Sequence, residues 1–387
     1  MKHFTDSRPR RIIAGEYFDG ERRHSDGPYA FLLDNEKIVG IEMAMAGEAV
    51  GCAFLMPTLV DCHVHFFMDG ATIDPALRKT ELAGDDRVLQ QKACANAALT
   101  REAGVGLVRD AAAPRGINHW LRSRQEEFHL RVRSAGPALH RPGRYGSFLG
   151  LAIGDDREIV STVAGLCEHA DDIKVMMTGV IDFTSGTVKG KTQFDAEAAG
   201  TIVATAHEHG RPAFAHCNGH DGLAIAIRAG FDSVEHGYGM DEESLRAMAA
   251  EGVAWTPTLA PVAAQLLLDP AISGFPSHVV EDLVSRHGES ILRAIQLGVP
   301  LQCGSDAGAQ GVPHGSGLID EMLLMAEAGA PMDVVLRGAT SLPRKRWRED
   351  SALLETGAEF DVLALPASPF DDPFALRRAT RLWPVKE

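Results

Sequence analysis

From about Met56 onward the chain repeats one rhythm, a short apolar run followed by a stretch long enough for a helix. The runs begin with L-M-P-T-L-V-D-C-H-V-H, G-L-V-R-D (to Asp110), L-R-V-R-S-A (to Ala135) and D-I-K-V-M-M (to Met177). They continue with P-A-F-A-H (to His216), D-S-V-E-H (to His236), V-A-W-T-P (to Pro257) and P-L-Q-C-G-S-D (to Asp306). Short runs that are largely apolar on both faces read as strands of a parallel sheet covered by helices. The stretches between them are amphipathic. D-A-E-A-A-G-T-I-V-A-T-A-H-E-H-G, for example, closes at Gly210, a residue suited to the left-handed position after a helix. Repeated strand–helix units of this kind predict an α/β chain folded as a (β/α)8 TIM barrel.

The two ends read differently. R-I-I-A-G-E-Y-F-D-G, Y-A-F-L-L-D and K-I-V-G-I-E are short strand candidates separated by D-G and D-N-E turns, and F-D-V-L-A-L-P is strand-like again near the other end. The simplest arrangement joins residues 1–55 and 354–387 in one small β-sandwich domain and leaves 56–353 as the barrel. A length of 387 residues and 45% hydrophobic content suit such a barrel with an attachment. A net charge of −15 argues against nucleic acid or an anionic membrane as partner, because both call for a basic surface. No apolar run approaches a membrane span, and M-K-H-F-T-D-S-R-P-R-R is not followed by the apolar core of a signal peptide. The six cysteines form no C-x-x-C pair and read as reduced thiols of a cytoplasmic protein.

Two pairs of histidines share one spacing and differ in what that spacing means. Along a strand, residues i and i+2 point to the same face about 7 Å apart, so His63 and His65, ending an apolar strand, can reach one cation. Along a helix, two steps turn the side chains roughly 200° apart, so His207 and His209 cannot. Four further metal-capable residues lie in other strands or close them: Lys174, His216, His236 and Asp306. In a (β/α)8 barrel the C-terminal strand ends share one mouth, where these residues would converge on a shared metal site.

The motifs M-P-T-L-V-D-C-H-V-H, A-G-V-G-L-V-R-D, D-I-K-V-M-M-T-G, F-A-H-C-N-G-H-D-G-L-A-I-A-I-R-A-G-F-D-S-V-E-H-G, C-G-S-D-A-G and H-G-S-G-L-I-D-E-M occur in order along nearly the whole chain. In these the chain resembles the amidohydrolase superfamily, in its imidazolonepropionase-related and Xaa-Pro dipeptidase-like branch. The resemblance implies a barrel with a sandwich built from both ends, homo-oligomers, and a binuclear site, most often zinc. His63, His65 and Asp306 would hold the more buried ion and His216 and His236 the more exposed one, with Lys174 bridging them as its N-carboxylated form. A desolvated neutral amine can add CO2 to become an anionic, two-oxygen ligand. The plain alternative for Lys174 is an interior lysine paired with a carboxylate.

Such a site implies hydrolysis of an amide-like C–N bond in a small molecule (a peptide, N-acyl amino acid, cyclic amide, carbamate or urea) by a hydroxide shared between the ions. Asp306 would orient the nucleophile and pass its proton to the leaving amine. Asp61, sharing its face with His63 and His65, either supports an imidazole or is a structural carboxylate at the strand end. After strand three, H-R-P-G-R-Y-G-S-F puts Tyr145 where relatives resembling this chain often carry a histidine that polarises the substrate carbonyl. Tyrosine can donate a hydrogen bond there but cannot supply a cationic imidazole. His140 is a weaker substitute, and Arg141 and Arg144 either grip a substrate carboxylate or stand in solvent. Tyr238, His220 and His314 flank the site as candidate substrate contacts, with a peripheral place the plainer reading. The loop T-G-V-I-D-F-T-S-G-T-V-K-G-K-T and the apolar T-L-A-P-V-A-A-Q-L-L-L would shape the mouth, the latter as pocket lining or as a core helix. Two other readings use the same residues: a lactone, ester or phosphotriester hydrolase, and a metal-free structural relative that keeps the barrel for assembly.

Overall fold

The structure is a computed structural model that describes residues 10–182, 185, 187–268, 274–349 and 353–382. The ends of the two terminal segments, parts of the loop after Lys174 and a few residues after the apolar T-L-A-P-V-A-A-Q-L-L-L segment lie outside the described residues. In chain order the strands are β1 (Arg10–Phe18), β2 (Arg23–His24), β3 (Tyr29–Asp34), β4 (Lys37–Met43), β5 (Cys52–Pro57) and β6 (Leu59–Val64). Next come β7 (Val105–Asp110), β8 (Arg131–Ser134), β9 (Ala138–His140), β10 (Gly150–Ala152), β11 (Ile173–Met176), β12 (Ile181–Asp182) and β13 (Thr187–Val188). The last are β14 (Ala213–Cys217), β15 (Ser233–His236), β16 (Ala254–Thr256), β17 (Val362–Leu365) and β18 (Thr380–Leu382). Helices separate most of the strands from β6 to β16, so the fold is mixed α/β.

The chain ends meet in one mixed seven-stranded sheet, ordered β18-β17-β5-β1-β3-β4 with β2 on β1. Its own core includes Tyr17, Phe31, Leu33, Leu55, Phe360 and Val362. The expected composite of both ends is therefore present as a single sheet among the described residues, where a sandwich would need two facing layers. β5 leads straight through Thr58 into β6, so the terminal sheet and the histidine-bearing strand are one nearly continuous run of chain.

The parallel strands form two separate sheets, β6-β7-β8 and β10-β9-β11-β14-β15-β16, rather than the single closed sheet expected from the sequence. One physical reason lies in S-A-G-P-A-L-H. Gly136 takes φ +69 and Pro137 has no N–H, so the third strand breaks there. Its first part, β8, pairs with β7, while its second part, β9, pairs with β11. The eighth expected strand is an extended segment held by single bridges. Gln302 N donates to Trp255 O at 2.8 Å, Cys62 N to Cys303 O at 2.9 Å and Asp306 N to His63 O at 2.8 Å. That segment thus lies hydrogen-bonded between β16 and β6.

Burial follows the patterns that called the strands. All six residues of β6 and all six of β7 are buried, each apolar one contributing on the order of 1.5–3 kcal/mol relative to exposure. Helix Ala196–Glu208 begins at Asp195, whose carboxylate accepts from Ala198 N at 2.9 Å. It buries Ala198, Ala199, Ile202, Val203 and Ala206 on one face, and Gly210 follows it at φ +67. His207 on this helix reaches Asp232 and His209 turns back to Thr205 O, so the two imidazoles take separate partners.

Candidate metal and catalytic site

The strands bring the six expected residues together. His63 lies in β6 and His65 directly follows it, Lys174 lies in β11, His216 in β14, His236 closes β15, and Asp306 lies near the end of the extended 300–307 segment. All six line one cavity of about 210 Å3. His65 Nε2 lies 3.4 Å and His63 Nε2 3.7 Å from Asp306 Oδ1, and Lys174 Nζ lies 3.4 Å from His63 Nε2. The His236 ring stands 5.2 Å from that of His63 and 4.5 Å from that of His216, centroid to centroid.

Each imidazole is held from behind. His63 Nδ1 lies 2.7 Å from Glu235 Oε2, His65 Nδ1 2.9 Å from Ala112 O and His236 Nδ1 2.7 Å from Thr258 Oγ1. For His63 and His65 the acceptors fix the proton on Nδ1 and leave Nε2 as a lone-pair donor beside Asp306. His216 differs: its Nε2 is 3.3 Å from Gly179 O, which leaves Nδ1 as its acceptor nitrogen. The backbone is strained at this same place. His236, Thr258 and Asp306 adopt φ +68, +51 and +54, at a cost of roughly 1–3 kcal/mol each, which the surrounding bonds must hold.

Burial sets the electrostatics. It pushes His65 and His216 down to about 3 and His63 and His236 well below the ordinary value, with the Lys174 charge adding to each shift. Neutral imidazoles are what a cation needs. Burial also lowers Lys174 toward its neutral amine, with Arg109 adding to the effect and Glu235 and Asp306 opposing it. Asp306 is raised, again chiefly by burial, with Lys174 opposing. Four imidazoles, one carboxylate and a lysine that can become a carbamate make an N/O donor set that fits zinc-like divalent ions.

Asp61 does not touch an imidazole. Its carboxylate accepts from His63 N at 3.2 Å, Ser305 N at 2.9 Å and Ser305 Oγ at 2.5 Å, fixing the backbone of both ligand-bearing segments. Tyr145 and Tyr238 line the cavity. The Tyr238 hydroxyl donates to Thr258 O at 3.2 Å, and the Tyr145 ring lies 5.1 Å from that of His216.

Other candidates are placed elsewhere. His140 turns Nδ1 to Arg141 O. The Arg141 guanidinium is spent on Gln193 O, Ile153 O and Asp156, and Arg144 donates to Lys191 O. None of the three is in the cavity wall: the two arginines tie the loop after β9 to carbonyls at Ile153, Lys191 and Gln193 and to the Asp156 carboxylate. His220 is exposed against Asp241, and His314 donates to Met68 O while stacked on Phe66. The segment after β16 forms a short helix, Ala260–Ala263, and its Pro261, Val262 and Gln265 enter the cavity wall together with Val180 and Ile181 from the loop after Lys174.

The sequence reading missed a layer beneath the site. Arg109 Nη2 donates to Glu235 Oε1 at 2.7 Å, Ser233 Oγ donates to the same oxygen at 2.8 Å, and Arg109 Nε donates to Cys62 O at 2.9 Å. Arg109 and Glu235 are both buried, and the guanidinium lies 3.9 Å from the Phe214 ring. The available signal was an arginine and a glutamate, each inside a short strand that is buried throughout, which must find one another or pay for isolation.

Neutral imidazoles, a desolvated lysine and a protonatable carboxylate gathered at one cavity are a candidate metal-ligand set of the kind hydrolases use. Residues 54–375 match the amidohydrolase family, and the chain belongs to that family of hydrolases acting on C–N bonds. An uncharacterized protein of Mycobacterium bovis is 26% identical over 350 residues, covering 89% of this chain and 86% of that one. Ochratoxinase of Aspergillus niger is 27% identical over 247 residues, 62% of this chain and 50% of that protein. Among solved structures, a Xaa-Pro dipeptidase with bound methionine in its active site superposes with a TM-score of 0.79 at 25% identity, covering 96% of each chain.

Proposed function

We propose that this chain is a binuclear metal-dependent amidohydrolase that cleaves an amide-like C–N bond in a small molecule. The observation that carries the reading is the meeting of His63, His65, Lys174, His216, His236 and Asp306 around one cavity. In this reading His63, His65 and Asp306 would hold one ion and His216 and His236 a second, Lys174 once N-carboxylated would add oxygen ligands, and zinc would be the natural metal for such donors. Bound there, two divalent ions supply an acidified water and polarisation of the scissile carbonyl.

The chain's own groups do the rest. Asp306 takes the proton of the attacking water and hands it to the leaving nitrogen, a task suited to a carboxyl whose acidity burial has weakened. The Tyr145 phenol, lining the cavity beside His216, donates a hydrogen bond to the oxygen that gains charge as the carbonyl is attacked. Glu235 keeps His63 in one tautomer throughout.

The same reading includes a (β/α)8 barrel over residues 56–353 and a terminal domain from 1–55 and 354–387. It is supported by the bonds that join the extended 300–307 segment to both β16 and β6. It also places the protein in the cytoplasm, supported by six cysteines that are all free thiols. The test is a panel of amides, lactones and phosphotriesters assayed on zinc-loaded protein. Turnover of amides carries the proposal, while turnover confined to lactones or phosphotriesters replaces it with that chemistry.

A further inference from the structure

The geometry points to a substrate with an apolar body and no free carboxylate near the scissile bond: a neutral amide rather than a dipeptide or N-acyl amino acid. This rests on the amide-hydrolase reading above and narrows it.

The first observation is the cavity wall. Away from the strand-end ligands it is built from Leu149, Met176, Val180, Ile181, Pro261 and Val262. Among the described residues of the wall there is no arginine, and its one lysine, Lys174, faces His63. Residues 183, 184, 186 and 269–273 contain no lysine or arginine. The nearby arginines lie outside the wall: Arg78 donates to Asp69 O, Thr72 O and Gly308 O, and Arg141 and Arg144 spend their donors on Gln193, Ile153, Asp156 and Lys191. A substrate carboxylate seated on this apolar side of the cavity, away from the six ligand residues and any ions they hold, has no cationic side chain to meet it and loses its hydration uncompensated.

The second observation concerns exposed apolar side chains next to the lining residues. Phe148 packs edge-on against the lining residue Tyr145, ring centroids 5.9 Å apart, and is itself exposed, and Leu266 and Leu267, which follow the lining residue Gln265 in the chain, are exposed as well, Leu267 at 88%. Apolar side chains left open next to a pocket suit a ligand that continues the apolar contact outward. The third is charge. A net charge of −15 disfavours the long-range approach of anions to the protein as a whole.

The polar groups that remain suit a neutral amide. Gln265 lines the cavity with Nε2 donating to Pro261 O at 3.1 Å, while its buried Oε1 has no partner. Asn218 and Gln310 are the other amides of the wall. Such groups fix the orientation of an uncharged ligand without requiring a charge from it.

The experiment uses two matched pairs and the full chain. In the first, zinc-loaded protein is given hexanoyl anilide and its 4-carboxylate analogue, 4-hexanamidobenzoate. The anilide should show a kcat/KM at least about tenfold higher, carried mainly by KM. In the second, calorimetry compares binding of the uncleavable hexanesulfonanilide and its 4-carboxylate, and the neutral member should bind at least about tenfold more tightly. Equal treatment of the two members, or preference for the acid, overturns the inference in either assay. Selective binding of the neutral sulfonanilide by a protein that hydrolyses no amide would sink the amide-hydrolase reading and leave the pocket assignment standing.

Discussion

Replacing Glu235 with glutamine tests the layer beneath the site. The change keeps shape and removes one negative charge from a carboxylate that takes bonds of 2.7 Å from Arg109, 2.8 Å from Ser233 and 2.7 Å from His63. Glu235 is fully buried and Arg109 nearly so, so the variant strands a guanidinium in the interior. Removing one member of a buried pair typically costs about 3–5 kcal/mol. Here the lower end applies, about 3 kcal/mol, because Arg109 keeps Cys62 O and the Phe214 ring. The glutamine can also present its NH2 to His63 Nδ1, flipping the tautomer and turning an N–H toward Asp306. Loss of such a supporting acceptor lowers metal affinity about 10–100-fold. Urea unfolding of metal-free protein reads the first effect, and competition with a zinc chelator reads the second. A variant with an unchanged unfolding midpoint and unchanged zinc affinity would refute the reasoning.

Asp306→Asn should lower kcat by about 10²–10⁴-fold, the usual contribution of a positioned acid–base group, while metal content measured by mass spectrometry stays near that of the parent. Lys174→Met should abolish any response to bicarbonate; in the parent chain, zinc reconstitution of activity should speed up when bicarbonate is added, and an equal rate with and without it would exclude a carbamate. Acid should destabilise the fold through His287, which burial pushes down to about 4 while the unfolded chain titrates near 6.5. Below pH 6.5 the unfolded chain binds a proton the folded chain refuses, so stability falls by about 1.4 kcal/mol per pH unit from this group until pH 4. In His287→Gln, urea midpoints measured from pH 7 to 4.5 should fall less steeply than in the parent; identical slopes would show that His287 does not titrate as described.

Sequence patterns disclosed the strand–helix rhythm because apolar runs and amphipathic stretches are local properties. The meeting of His63 and His65 was legible from strand parity alone. The convergence of Lys174, His216, His236 and Asp306 was legible because each lies in, or ends, a run of its own. Three things were hidden. The Arg109–Glu235 pair spans β7 and β15, and its partners can be matched only once the sheets are built. The break at Gly136–Pro137 divides a strand that composition reads as ending at Ala135, and it sends β9 to a different neighbour. The guanidinium groups of Arg141 and Arg144 looked available because loop carbonyls, which claim them, leave no mark in a sequence.

The pairing of β17 with β5 sets the order in which a nascent chain can mature. Thr58 Oγ1 donates to Asp361 across 303 positions, and Arg344 and Arg381 tie the same joint together immediately before the strand that carries His63 and His65. While residues 362–365 are still inside the ribosome, β5 has one edge unzipped and the first two imidazoles hang from an unanchored lead-in. Closure of that edge therefore waits on the synthesis of β17, and a truncation before Val362 should leave a protein able to collapse around its helices yet slower to take up added zinc than the full chain.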